Sequence, residues 1–154
     1  MNYSALLEAG LVAWIDEATT ARVVSYADAG DTTTRSLPSV TVVCAPSQDW
    51  QGLVRIPVQL TLQTNAIVDT DRAGMAALVG EVMGAIGNDN STSIDALVAS
   101  PLHFAGLSEI EQSDGDVLTT EQESTNVVSV SATAFCVVDS VTTTTTSTTT
   151  TTKP

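Results

Sequence analysis

Apolar and polar positions alternate with a period of two over residues 53–63. Val54, Ile56, Val58, Leu60 and Leu62 take one parity; Arg55, Gln59, Thr61 and Gln63 take the other. That period belongs to a strand with one dry face and one wet face. At about 3.3 Å per residue such a strand spans roughly 40 Å. The period then changes, and Met75, Leu78, Val79, Val82, Met83 and Ile86 fall at helical spacing. Between the two patterns, Asp69, Thr70 and Asp71 make a natural helix start, with carboxylates near the positive end of the helix dipole. A long amphipathic strand is therefore expected to feed a helix that lies back on its apolar face.

The same reading predicts a helix over residues 2–18. Tyr3, Leu6, Leu7, Leu11, Trp14, Ile15 and Ala18 recur at three and four, and Gly10 is the one weak position. Trp14 is expected to anchor packing, its indole nitrogen reaching a partner. Strands follow at 22–27 and 37–45, the second with Val40, Val42 and Cys44 on one face and Pro46 at its end. A hairpin is expected from these two, with the polar loop 28–35 projecting. Residues 47–52 read as a turn whose Trp50 is either an interface residue or a plug over the core. Gly87 fits a left-handed helix cap. Ser91 or Ser93 then caps a short helix carrying Ile94, Leu97 and Val98, which Pro101 stops. Residues 102–110 predict a strand broken at Gly106, with His103 facing away from Leu102 and Phe104. Residues 109–123 hold Glu109, Glu111, Asp114, Asp116, Glu121 and Glu123. They read as a solvated hairpin loop, with a cation site or a negatively charged rim as the alternatives. Residues 126–139 return to strand; their small residues predict a central position under helices.

The order of elements gives an α+β fold, an antiparallel or mixed sheet with helices packed on it. Residues 1–140 are read as one domain. Residues 141–154 form a threonine-rich tail of low complexity that cannot build a core.

Charge narrows the function. The chain of 154 residues carries a net charge of −13, from 5 basic and 18 acidic residues. That balance argues against nucleic-acid binding and against anionic membrane surfaces. It suits a surface from which DNA slides away by like-charge repulsion. Cys44 and Cys136 sit in the apolar parity of their runs and are expected to be buried free thiols. No basic segment followed by an apolar run opens the chain, and no run approaches a membrane span, so the expected compartment is the cytoplasm. Known catalytic and cofactor motifs are missing. A calcium loop counted from Asp69 places Asp71 and Gly74 correctly, but Ala73 and Gly80 occupy positions that need ligands. His103 is tied to no nucleophile by any motif. The expectation is no cofactor, no metal and no enzyme activity.

Several stretches together resemble the tail terminator (tail completion) proteins of tailed bacteriophages. They are the first helix, the strand VRIPVQLTLQT followed by AIVDTDRAGMAALVGEVMGAI, the strand LHFAGLSEI and the final strand VVSVSATAFCVV. The resemblance covers residues 2–140 and is one of layout. It implies a virion protein assembled in the host cytoplasm: a ring, usually a hexamer, that caps the tail tube and joins it to a neck or head-completion protein. DNA would pass through its channel without specific binding. Such a ring has no catalytic residues. The candidate contacts lie in the projecting loops: Asp28, Asp31, Arg35, Trp50, Asp114, Asp116, Glu121 and Glu123. Another virion part, such as a tail-tube subunit, a neck stopper or a capsid decoration protein, is the alternative.

Overall fold

The computed structural model describes residues 2–25, 37–69, 71–113, 116–119 and 124–139. The elements are α1 (Tyr3–Ala18), β1 (Arg22–Ser25), β2 (Ser39–Cys44), β3 (Gln48–Trp50), β4 (Leu53–Asn65), α2 (Ala73–Ala85), α3 (Ser91–Leu97), β5 (Leu102–Gln112), β6 (Asp116–Thr119) and β7 (Ser124–Val138). One sheet takes the order β1-β2-β4-β7-β5, with β3 beside the start of β4 and β6 beside the start of β7. The fold is α+β, as the sequence predicts.

β4 and β7 form the spine. They pair antiparallel from Leu53 opposite Val137 to Asn65 opposite Thr125. Alternation sends Val54, Ile56, Val58, Leu60 and Leu62 to the inner face, with Val128, Val130, Ala132, Ala134 and Cys136 beside them. The helices cover that face. α1 brings Leu7, Leu11 and Ile15, α2 brings Met75, Leu78 and Val82, and α3 brings Ile94, all buried. Each large aliphatic side chain so buried contributes about 1.5–3 kcal/mol. Pro57 interrupts β4 where it does least harm. It falls between the β3 pairing, which ends at Ile56's neighbour Arg55, and the β2 pairing, which begins at Val58.

The expected hairpin of the first two strands does not form. β1 and β2 run parallel, with Arg22 opposite Ser39 and Ser25 opposite Val42. At about 3.3 Å per residue, residues 26–38 are long enough to carry the chain back along so short a strand. A polar connection says nothing about direction; the parallel register sets Val23 beside Val40 in the core. The end of the expected first strand, at 26–27, lies outside the described residues. The expected turn at 47–52 is partly strand. β3 folds back on Leu53, Val54 and Arg55 through a two-residue turn, Gln51 and Gly52, both with positive φ (49° and 84°). The expected break at Gly106 is a bulge, and a second bulge follows between Ser108 and Glu111. The acidic stretch is less of a loop than expected, since β5 runs on to Gln112 and β6 pairs with β7.

The start of α2 is closed by the aspartates the sequence points to, and its end is closed by residues it does not point to. Arg72 at the start is left-handed, and Asp69 reaches over it. Its carboxylate accepts from Gly74 N (2.8 Å), Met75 N (2.9 Å) and Thr64 Oγ1 (2.8 Å). Asp71 adds a bond from Ala73 N at 3.1 Å. At the other end Gly87 does not take the left-handed conformation. Instead, Asn90 Nδ2 donates to Gly84 O (2.9 Å) and Ala85 O (3.2 Å), while Trp14 Nε1 donates to Ala85 O (2.8 Å). These donors satisfy terminal carbonyls that a glycine cap would otherwise serve. Asn90 is also the N-cap residue of α3 but gives it no side-chain bond, so neither Ser91 nor Ser93 is the cap.

Candidate interaction surface

Among the described residues, the helices leave the other face of the β4–β7 pair open. Its middle is polar, with Gln59 opposite Ser131 and Thr61 opposite Ser129. One end is apolar: Leu53 is 50% exposed, Val137 45% and Phe135 37%. Leu53 faces Val137 and Arg55 faces Phe135 across the strands. The Arg55 guanidinium lies 5.3 Å from the Phe135 ring centroid, a cation–π contact. Together they line a shallow hollow of about 390 Å³, with Ala105 from β5 and Gln48 and Asp49 from β3 at its edge. It lies beside the β3–β4 turn.

At the opposite end of β4 the chain makes a turn that carries Ile67, 68% exposed, and Val68, 82% exposed. Asp69 anchors this turn from below. Partial desolvation opposes its ionisation, but the bonds from Gly74 N, the Thr64 hydroxyl and Met75 N, with Asn126 nearby, outweigh that and hold its carboxyl below the ordinary value. Asn126 ties the knot to β7, donating to Thr64 Oγ1 (3.2 Å) and to Asp69 O (3.1 Å).

The titratable groups suggest structure more than chemistry. His103 is exposed at the start of β5, with Nδ1 3.4 Å from Asp95 and Nε2 3.7 Å from Asp139. The nearest part of that arrangement is already committed, because Asp95 also accepts from Phe104 N at 2.8 Å. Both cysteines are free thiols. Burial, then Glu8 and Cys136, pushes the Cys44 thiol up to about 12. Burial, then Asp95, does the same to Cys136. Neither is a nucleophile near neutral pH. Among the described residues no group of three or more His, Cys, Asp or Glu side chains could hold a metal ion. No described helix is long and apolar enough to cross a membrane.

Of the contact residues expected from sequence, Asp28, Asp31, Arg35, Asp114, Glu121 and Glu123 lie outside the described residues. Trp50 and Asp116 are placed by their backbones in β3 and β6, and their side chains lie outside the described residues. The apolar end of the open face is not among the expected contacts. Its signal is in the alternation: Leu53, Phe135 and Val137 are apolar residues in the wet parity of their strands. No protein-family model matches the chain, and no curated protein sequence matches it.

Proposed function

We propose that this chain is a structural virion protein, a tail terminator. It forms a ring at the head-proximal end of a phage tail tube, ends tube polymerisation and joins the tail to the neck. The observation that carries the reading is the open outer face of the β4–β7 pair, with Leu53, Phe135 and Val137 exposed at one end. A sheet with one helix-covered face and one bare, partly apolar face is suited to burial against another protein surface. The layout resemblance supplies the identity of that surface, and the −13 charge suits a channel wall past which DNA moves without sticking. The function is geometric: one side of the ring copies the stacking surface of the tube, and the other side refuses a further tube subunit.

The test is the mass of the purified full chain by light scattering, followed by binding to assembled tail tubes. A closed ring of about six subunits that binds tube ends supports the terminator. Long polymers would make it a tube subunit. A monomer that ignores tube ends overturns the reading.

A further inference from the structure

His103 is the one histidine of the chain, and its ring stands between two carboxylates from different elements. Nδ1 lies 3.4 Å from Asp95 Oδ1 in α3, and Nε2 lies 3.7 Å from Asp139 Oδ2, just past the end of β7. Both acids are held by bonds that do not involve the ring. The Asp95 carboxylate accepts from Phe104 N (2.8 Å), and Asp139 N donates to Pro101 O (2.7 Å). A neutral imidazole has one N–H and serves one of the two; its other nitrogen turns a lone pair toward an acceptor. The imidazolium donates from both nitrogens. We propose that His103 is a proton-operated clasp: charged, it holds Asp95 and Asp139 at once and pins the end of β7 to α3; neutral, it releases one of them.

The device works within one copy and does not depend on ring formation. Among the described residues no other ion pair reaches the ring. The acids of β5 itself, Glu109 and Glu111, lie near its far end, and Arg55, two strands away, is engaged with the Phe135 ring. The Cys136 thiol, which feels Asp95, is pushed up to about 12 and adds no charge near neutrality. Only the charged ring makes the second contact, so the tie is present below histidine's ordinary range, near 6.5, and is lost as pH rises past it. What it controls is local. Val138 N donates to Gly52 O (3.1 Å) and Asp139 N to Pro101 O, and these bonds hold the end of the strand. Residues 140–154, rich in threonine, start from this point, so one proton sets how firmly their root is held. All three side chains are one-third to one-half exposed, which keeps the effect modest and sensitive to salt.

The test is amide hydrogen exchange of the full chain at about pH 5.5 and about pH 7.5, on either side of histidine's ordinary range. Rates are expressed as protection relative to an unstructured peptide, so that the intrinsic pH dependence of exchange cancels. Protection of Val138 and Asp139 is expected to be about 2–5-fold higher at the lower pH, the size of two exposed contacts at low salt. His103→Gln, at a half-exposed site, keeps a donor but takes no charge, and is expected to lose that step. Asp139→Asn is expected to lose it too. Leu60, buried in the middle of β4, is expected to respond to pH alike in the wild type and both variants. A step absent from the wild type overturns the clasp. A step retained in His103→Gln overturns it as well, because the carboxylates alone would then carry it. A step lost in His103→Gln but kept in Asp139→Asn overturns the two-sided tie and leaves a simple pair with Asp95.

Discussion

Gly10 shows how a residue can be weak in sequence and required in structure. It sits in the middle of α1, where alanine would raise helix propensity by about 1 kcal/mol. A Cβ there would meet Val98 Cγ2 at 2.7 Å and Leu97 O at 3.2 Å. The close approach of α1 to the end of α3 decides the sign, because backbone lies behind the Val98 methyl. Gly10→Ala is expected to destabilise by about 1–3 kcal/mol in a urea melt, the usual effect of overpacking. Asp69 gives a prediction in pH. Its folded carboxyl titrates below its unfolded value. Its contribution is therefore full above the unfolded carboxyl range, near 3.9, and is lost as pH falls through the lower folded value. The gap in melting temperature between the wild type and Asp69→Asn should be widest near neutrality and close below pH 4. The thiols give a third. Cys44 and Cys136, each held near 12, should label with a thiol reagent at pH 8 only after denaturant is added.

Elements meet at shared atoms, and Ala85 O is the clearest. It accepts from Trp14 in α1 and from Asn90 ahead of α3, so three helices converge on one carbonyl. Removing either donor leaves the other in place. Trp14→Phe and Asn90→Ala together should destabilise more than the sum of the single changes, by roughly 0.5–1.5 kcal/mol in a double-mutant cycle. This scale also explains what could be read ahead of the structure. The alternation in β4 and β7 and the helical spacing in α1 and α2 are legible, because burial of one face writes a period directly into the chain. The direction of β1 against β2 is not. Both directions bury Val23 and Val40, and the choice depends on partners elsewhere in the sheet. The caps were half legible: Asp69 and Asp71 announce a helix start, but Asn90 serves a helix that precedes it, and no local rule points backward. The sequence points to polar loops for the contact surface. Polar residues are exposed whether or not they bind anything, whereas Leu53, Phe135 and Val137 in a wet parity need a reason to be there.

At the scale of the molecule the charge sets the conditions for association. Copies with net charge −13 repel over roughly 10 Å at 0.1 M salt and over less as salt rises. If copies associate through the apolar end of the outer face, as the proposed function requires, sedimentation in rising salt should show an oligomer gaining at the expense of the monomer. A contact built on ion pairs would show the reverse. The spine has a further consequence in time. Residues 66–123 separate β4 from the β7 strand with which it pairs along its whole length. At a synthesis rate of about 5–20 residues per second, β4 leaves the ribosome roughly 4–15 seconds before β7 is complete. During that interval its row of valines, isoleucine and leucines has no central neighbour. The growing chain is then most open to chaperones and to pairing with the wrong strand, and the last of the described strands is the one that ends the exposure.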